Sequence, residues 1–108
     1  MSQVILQINI KINVPVAEIE PPWLEAAQPI ADTPGLRWKI WLKNTAEREV
    51  GGIYLFDDEA SVQAFLDGPI AAATKSSPVI DAISVKQFNV MEAHTAITRG
   101  PVEQGVRV

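Results

Sequence analysis

The order of periodic segments in this 108-residue chain predicts an α+β domain with a ferredoxin-like βαββαβ arrangement. Four stretches alternate apolar and polar residues with period two, as β-strands do, and stretches of helical periodicity separate them. Two such β-α-β halves form a four-stranded antiparallel sheet with helices on one face. We assign residues 1–91 to this domain. Residues 92–108 form a C-terminal tail, for which we expect contacts with a dimer partner or a ligand pocket.

The first strand and the first helix are each indicated by an apolar face. Along residues 3–14 the apolar residues fall at every second position: Val4, Leu6, Ile8, Ile10 and Ile12. Pro21 and Pro22 suit the first turn of a helix, where their missing N–H groups would be unbonded anyway. Pro29 should kink or shorten this helix, and the Thr-Pro-Gly sequence at 33–35 ends it.

The second strand alternates over residues 36–44, so one face is expected to carry Leu36, Trp38, Ile40 and Leu42. The opposite face then carries Arg37, Lys39, Trp41 and Lys43. A polar connection of about five residues leads into a returning strand over 50–56. The glycine pair near its start indicates a bulge or a close approach of two backbones.

The second half of the domain begins with a helix signature, Asp57-Asp58-Glu59, in which an aspartate caps the first turn. The sequence Asp-Gly-Pro at 67–69 ends this helix, and a second short helix is expected over 69–76. Residues 79–90 are β-like with an imperfect alternation that a bulge would explain. The tail is weakly patterned, with a helical turn and a short strand over 106–108 as one interpretation.

Composition excludes several classes of function. Lys and Arg number 9 against 13 for Asp and Glu, and the net charge of −4 is the wrong sign for a nucleic-acid partner. The chain has no cysteine, so disulfides and thiolate metal sites are excluded. The first residues show neither a signal peptide nor a membrane span, and we therefore expect a cytoplasmic protein without a membrane partner.

The sheet face without helices would expose a large apolar patch, because the first two strands are apolar on both sides for part of their length. Association of two sheets in a homodimer would cover this patch.

Two sequence blocks resemble a known family. The pattern P-G-x-x-W-K-x-W at 34–41, followed by G-G-I-Y-L-F at 51–56, is similar to the YdhR-type mono-oxygenases. These belong to the dimeric α/β-barrel class, which includes antibiotic-biosynthesis monooxygenases, and the resemblance extends over residues 3–91. It implies a homodimer whose two sheets close a barrel, with a ligand pocket between each sheet and its helices.

Two residues are candidates for catalysis. Tyr54 is the only tyrosine and lies in an apolar strand, where its phenol is either a hydrogen-bonded core group or holds or deprotonates a phenolic substrate. His94 is the only histidine; it is either exposed in the tail or, if the tail folds over a cleft, acts as a base. A single histidine without metal-ligand spacing argues against a metal site.

Six further residues are candidates for substrate binding: Asn9, Arg37, Trp38, Lys39, Trp41 and Phe88. Trp38 and Trp41 should face opposite sides of the sheet, so that one lines a cavity while the other packs elsewhere. The resemblance favours the pocket for both without saying which one enters it. Arg37 or Lys39 either stabilises a phenolate or enolate oxyanion or belongs to a solvated face.

The leading functional hypothesis is a cofactor-independent monooxygenase that uses O2 to oxygenate a small, electron-rich aromatic or polyketide-like substrate. Trp38, Trp41 and Phe88 would desolvate the substrate, and Tyr54, His94 or a cation would lower the pKa of its phenol. The sequence has no GxGxxG, Walker A or nucleophile-elbow motif, so we expect no bound cofactor. The alternatives are a noncatalytic small-molecule binding protein and a proton-transfer isomerase or cyclase on the same fold.

Overall fold

The computed structural model describes residues 3–102 and contains four strands and four helices over that range. In chain order they are β1 (Val4–Ile12), α1 (Val16–Ala31), β2 (Leu36–Asn44), β3 (Glu49–Phe56), α2 (Glu59–Leu66), α3 (Pro69–Lys75), β4 (Ile80–Asn89) and α4 (Glu92–Ile97). The predicted βαββαβ order and the short helix α3 are confirmed. Helix α4 lies in the weakly patterned tail, and the expected strand over 106–108 lies outside the described residues.

The four strands form one antiparallel sheet in the order β2-β3-β1-β4. Side chains of α1, α2 and α3 pack on one side of it, which we call the covered face. The other side, which includes Ile5 and Leu55, is called the open face. This arrangement is the ferredoxin-like fold that the sequence predicts.

The core lies between the covered face and the helices. One cluster joins Leu6 and Phe56 of the sheet to Val62 and Phe65 of α2. A second cluster joins the other end of β1 to Val16 and Ile19 of α1. Burial of such side chains contributes about 1.5–3 kcal/mol each relative to exposure. The two clusters therefore hold the helices at a fixed distance from the sheet.

A bulge in β2 corrects the predicted assignment of side chains to faces. The pairing of β2 with β3 shifts between Leu36 and Trp38, which leaves Arg37 as an extra residue. Leu36 consequently packs against the core of the covered face, whereas Trp38 lies opposite Leu55 on the open face. Leu36 and Trp38 were expected on the same face, and that expectation was wrong because strict alternation does not include a bulge.

Helix α1 begins earlier than the prolines suggested. Pro15 is its N-cap, so Pro21 and Pro22 lie inside the helix instead of in its first turn. Pro21, Pro22 and Pro29 are all exposed. Proline has no N–H group to donate to the carbonyl four residues earlier, and the carbonyl groups left without this bond lie on the solvent side of the helix. The helix continues through Pro29 and ends at Ala31, just before the Thr-Pro-Gly sequence that was expected to end it.

Local signals elsewhere agree with the structure. Asp58 caps α2 by accepting a hydrogen bond from the backbone N–H of Ser61 at 2.8 Å. Gly35 adopts φ +83° in the turn before β2, a conformation that side-chain-bearing residues rarely adopt. The pairing of β4 with β1 skips one residue, Asp81, where the imperfect alternation indicated a bulge. Within the described residues, no helix is both long and apolar enough to span a membrane.

Candidate active site

A cavity of about 100 Å³ lies between the covered face and helices α1 to α3. Apolar side chains form most of its wall: Ile8, Ile10, Trp23, Ile30, Trp41, Phe65, Leu66, Ile70, Ile83 and Val85. Trp41 is 38% exposed and marks the side on which the cavity opens to solvent. An apolar pocket with a few polar groups inside it is typical of a small-molecule site.

Lys39 places an amine in this apolar cavity. It lies directly opposite Tyr54 in the β2–β3 pairing and two residues before Trp41, so the three side chains share the covered face. The Lys39 Nζ atom is 3.3 Å from the centroid of the Trp41 ring and 4.5 Å from that of Tyr54. The Trp23 ring of α1 also lies near the amine, with its centroid 6.0 Å from the Lys39 Nζ atom.

Gly52 leaves the space that the Lys39 side chain occupies. It lies opposite Trp41 on β3, and a Cβ atom built there would meet Lys39 Cε. Its neighbour Gly51 is required for another reason, because a Cβ atom there would meet the backbone carbonyl of Ile8. The predicted close approach of backbones is thus confirmed at Gly51, and the second glycine accommodates a side chain.

The surroundings of Lys39 favour its uncharged form more than water does. Burial lowers the pKa of its ammonium group from 10.5 to about 7. Lys39 makes no ion pair or hydrogen bond with any residue in the range 3–102. The ring faces around it attract the protonated form, so both protonation states are accommodated near neutral pH.

Tyr54 is 5% exposed and packs against Phe56 and Phe65, at centroid distances of 6.0 and 5.3 Å. Burial raises the pKa of its phenol well above the ordinary value. Tyr54 therefore stays protonated and is a hydrogen-bond donor, which argues against its acting as a base. Among residues 3–102 its hydroxyl has no hydrogen-bond partner, although a buried phenol normally has one.

Three of the predicted binding residues lie on the open face, away from the cavity. Asn9 accepts a 3.5 Å hydrogen bond from Gln7, and Phe88 is 47% exposed. The Trp38 indole N–H donates to the carbonyl oxygen of Pro101 at 2.7 Å. Within one chain the sheet therefore separates Trp38 and Phe88 from Trp41.

Two other candidates are also outside the cavity. The Arg37 guanidinium forms an ion pair with Asp57 at 3.2 Å and is exposed at the bulge. His94 is exposed on α4, and none of the tail residues that the structure describes, 92–102, lines the cavity. The structure thus brings together Lys39, Trp41 and Tyr54 from the predicted set.

Two wall residues were not singled out as site residues from the sequence. Trp23 and Phe65 lie on the apolar stripes of α1 and α2, where large side chains usually indicate only packing. Among the described residues, the polar side chains that line the cavity are those of Lys39, Tyr54, Thr74 and Lys75, and no carboxylate from residues 3–102 lines it. Across residues 3–102, no cluster of three His, Cys, Asp or Glu side chains is arranged to hold a metal ion. The cavity is best suited to a flat ligand that carries an oxyanion or a hydroxyl group.

Comparison with protein families gives one match. The sequence profile of the family described as "Putative mono-oxygenase ydhR" matches residues 5–101. A comparison with curated proteins gives no match.

Solved structures with the same fold include proteins of several descriptions. NE2512 from Nitrosomonas europaea, a protein of unknown function, is 24% identical, with a TM-score of 0.68 over 84% of this chain and 91% of that one. SnoaB, a cofactor-independent oxygenase from Streptomyces nogalater, is 17% identical, with a TM-score of 0.66 over 83% and 94%. The heme-degrader MhuD from Mycobacterium tuberculosis is 23% identical, with a TM-score of 0.60 over 81% and 95%. These likenesses establish the fold.

Proposed function

The chain belongs to the ydhR family of mono-oxygenases, and from this premise we propose that it oxygenates a small, electron-rich aromatic or polyketide-like substrate in the cavity without a bound cofactor. The observation that carries the proposal is the Lys39 amine, held among aromatic rings in an apolar cavity that no carboxylate of residues 3–102 lines. SnoaB, which has the same fold, is described as a cofactor-independent oxygenase, and this adds support.

Lys39 is the proposed base. With a pKa of about 7, much of the amine is unprotonated at neutral pH and accepts the proton of an acidic phenol or enol. The ammonium group that forms then lies beside the substrate oxyanion and stabilises it, because the apolar walls screen little of the charge. The Tyr54 hydroxyl, which stays protonated, donates a hydrogen bond to the same oxyanion.

The substrate itself supplies the electrons for oxygen. For an anthrone, the deprotonated carbon adds O2 to form a peroxide, which then loses water. One oxygen atom stays on the carbon as a new carbonyl group, the other leaves as water, and the CH2 group provides both hydrogens. No external reductant is needed. Trp23, Trp41 and Phe65 exclude bulk water from the anion.

Oxygen uptake with anthrones and quinols tests the proposal. We expect Lys39→Met to lower kcat by about 100-fold or more, as the loss of a general base does. Tyr54→Phe should lower it by about tenfold through loss of one donor. Lys43→Met is the matched control, since Lys43 lies on the same strand but pairs with Glu20 at 3.1 Å. Uptake at background, together with tight binding of an aromatic ligand, would contradict oxygenase activity and indicate a binding protein.

The pH dependence follows from the same group. A base acts in its deprotonated form, so kcat/KM should rise with pH and be half-maximal near pH 7, the pKa of Lys39. A rate that falls as pH rises through 7 would show that the ammonium form is required instead.

A homodimer formed through the open faces is the second part of the proposal. Ile40 is 51% exposed and Phe88 is 47% exposed on this face, which is a large apolar area for a chain to leave in water. Sedimentation should give a dimer at micromolar concentration, and Ile40→Asp should give a monomer. Leu24→Asp is the matched control, because Leu24 is 76% exposed on α1. A wild-type monomer would exclude this assembly.

A further inference from the structure

The environment of Lys39 fits a nucleophile as well as a base. An amine attacks a carbonyl carbon only through its free electron pair, which a carboxylate partner would occupy by keeping the nitrogen protonated. Lys39 has no such partner in residues 3–102, and its Nζ atom borders an open cavity. The other titratable side chains that line the cavity are Tyr54 of β3 and Lys75 of α3.

The walls indicate which carbonyl compound would fit. The rings of Trp41 and Tyr54 lie 3.3 and 4.5 Å from the amine, measured to their centroids. These rings surround the amine with aromatic surface, which favours a carbonyl compound that carries an aromatic group. The aldehyde must be small enough to enter the cavity between the covered face and the helices.

We propose that Lys39 is a covalent capture site, at which small aromatic aldehydes form a reversible imine with the Nζ atom. This reaction goes beyond the oxygenase proposal and does not depend on it, because it requires neither O2 nor turnover.

The chemistry balances without any redox partner. The Nζ electron pair forms a bond to the carbonyl carbon, and the π electrons of the carbonyl move to its oxygen, which takes up a proton to give a carbinolamine. The carbon–oxygen bond then breaks as the nitrogen forms the C=N bond. Both amine hydrogens leave with the oxygen as water, and water reverses the sequence. Burial, which lowers the pKa of Lys39 to about 7, keeps enough neutral amine for this attack.

Reductive trapping tests the proposal. The wild-type protein is incubated with benzaldehyde and sodium cyanoborohydride at pH 7, and benzylated lysines are quantified by peptide mass spectrometry. The internal controls are Lys11, Lys43 and Lys86, which do not line the cavity. We expect Lys39 to be labelled at least tenfold faster than these residues. Labelling of Lys39 at or below the rate of the controls would overturn the proposal.

A second variant separates the cavity from the lysine itself. Gly52→Ala places a Cβ atom where Lys39 Cε lies, and since a flexible side chain can move away, the fold should survive while the amine is displaced. Its labelling rate at Lys39 should fall toward that of the surface lysines. Benzyl alcohol, which has the same ring but no carbonyl, should slow the labelling of Lys39 and leave Lys43 unaffected. Unchanged labelling in both experiments would contradict capture inside the cavity.

Discussion

The two faces of the sheet use similar side chains for different purposes. Each face has a tryptophan from β2: Trp41 shields the lysine amine on the covered face, whereas Trp38 donates a hydrogen bond to Pro101 on the open face. The covered face buries Phe56 completely, while the open face leaves Phe88 nearly half exposed. The difference shows that the elements packed over a face decide what its side chains do.

Truncation of one phenylalanine on each face should give the largest contrast. We expect Phe56→Ala to lower the free energy of unfolding by about 3–5 kcal/mol, because it leaves a cavity in the core. In protein too dilute to associate, Phe88→Ala should cost less than about 1 kcal/mol. Urea unfolding of the pair measures both. Equal losses would show that the open face is packed as tightly as the covered one.

Replacement of Lys39 should increase the free energy of unfolding. Lys39→Met removes an amine that folding desolvates, and we expect a gain of about 1–2 kcal/mol at pH 7, allowing for solvent screening at the cavity mouth. The folded pKa lies below the ordinary value of 10.5, so the unfolded chain binds this proton more tightly. The free energy of unfolding of the wild type should therefore rise between about pH 7 and 10.5. The advantage of Lys39→Met over the wild type should become smaller over the same range.

The control for this pH dependence is Lys43→Met. The exposed ion pair between Lys43 and Glu20 contributes little to the free energy of unfolding. Unfolding curves at pH 7 and pH 10 should give the same small difference from wild type for this variant. A gap between Lys39→Met and wild type that widens with pH would contradict the burial of the amine.

The smallest effect is expected at the hydrogen bond between β2 and the C-terminal segment. Trp38→Phe keeps the ring but removes the indole donor to Pro101, which should cost about 0.5–1.5 kcal/mol. This hydrogen bond holds the segment after α4 against the open face. Its loss should therefore make amide hydrogen exchange in α4 faster. Trp41→Phe is the matched variant on the covered face, and it should leave exchange in α4 unchanged.

Much of the fold could be predicted from local patterns. The alternation of apolar and polar residues located the strands. Asp58 was recognisable as a helix cap because it directly precedes a helix-forming sequence. The start of α1 was not predictable from its prolines, since Pro21 and Pro22 are tolerated inside a helix whose affected side faces solvent. The bulge at Arg37 has no signal in the sequence, because Arg is not a residue type that marks bulges.

The site was predictable in its residues but not in their grouping. Lys39, Trp41 and Tyr54 were all candidates, and the register of β2 against β3 is what brings them together. Trp38 and Phe88 lie on the opposite face within one chain, and the sequence alone does not show which face the helices cover. Trp23 reaches the site from α1 and could be recognised only once the helix was placed above the sheet.

The missing side chain of Gly52 links two positions that are 13 residues apart in the sequence. A larger residue at 52 would meet Lys39 Cε and displace the amine from the position that it occupies beside Trp41. In an alignment of related chains, the residues at positions 39 and 52 should be compared as a pair. Members with the Lys–Gly pair would then form a chemical subgroup of the family, recognisable before any of their structures is known.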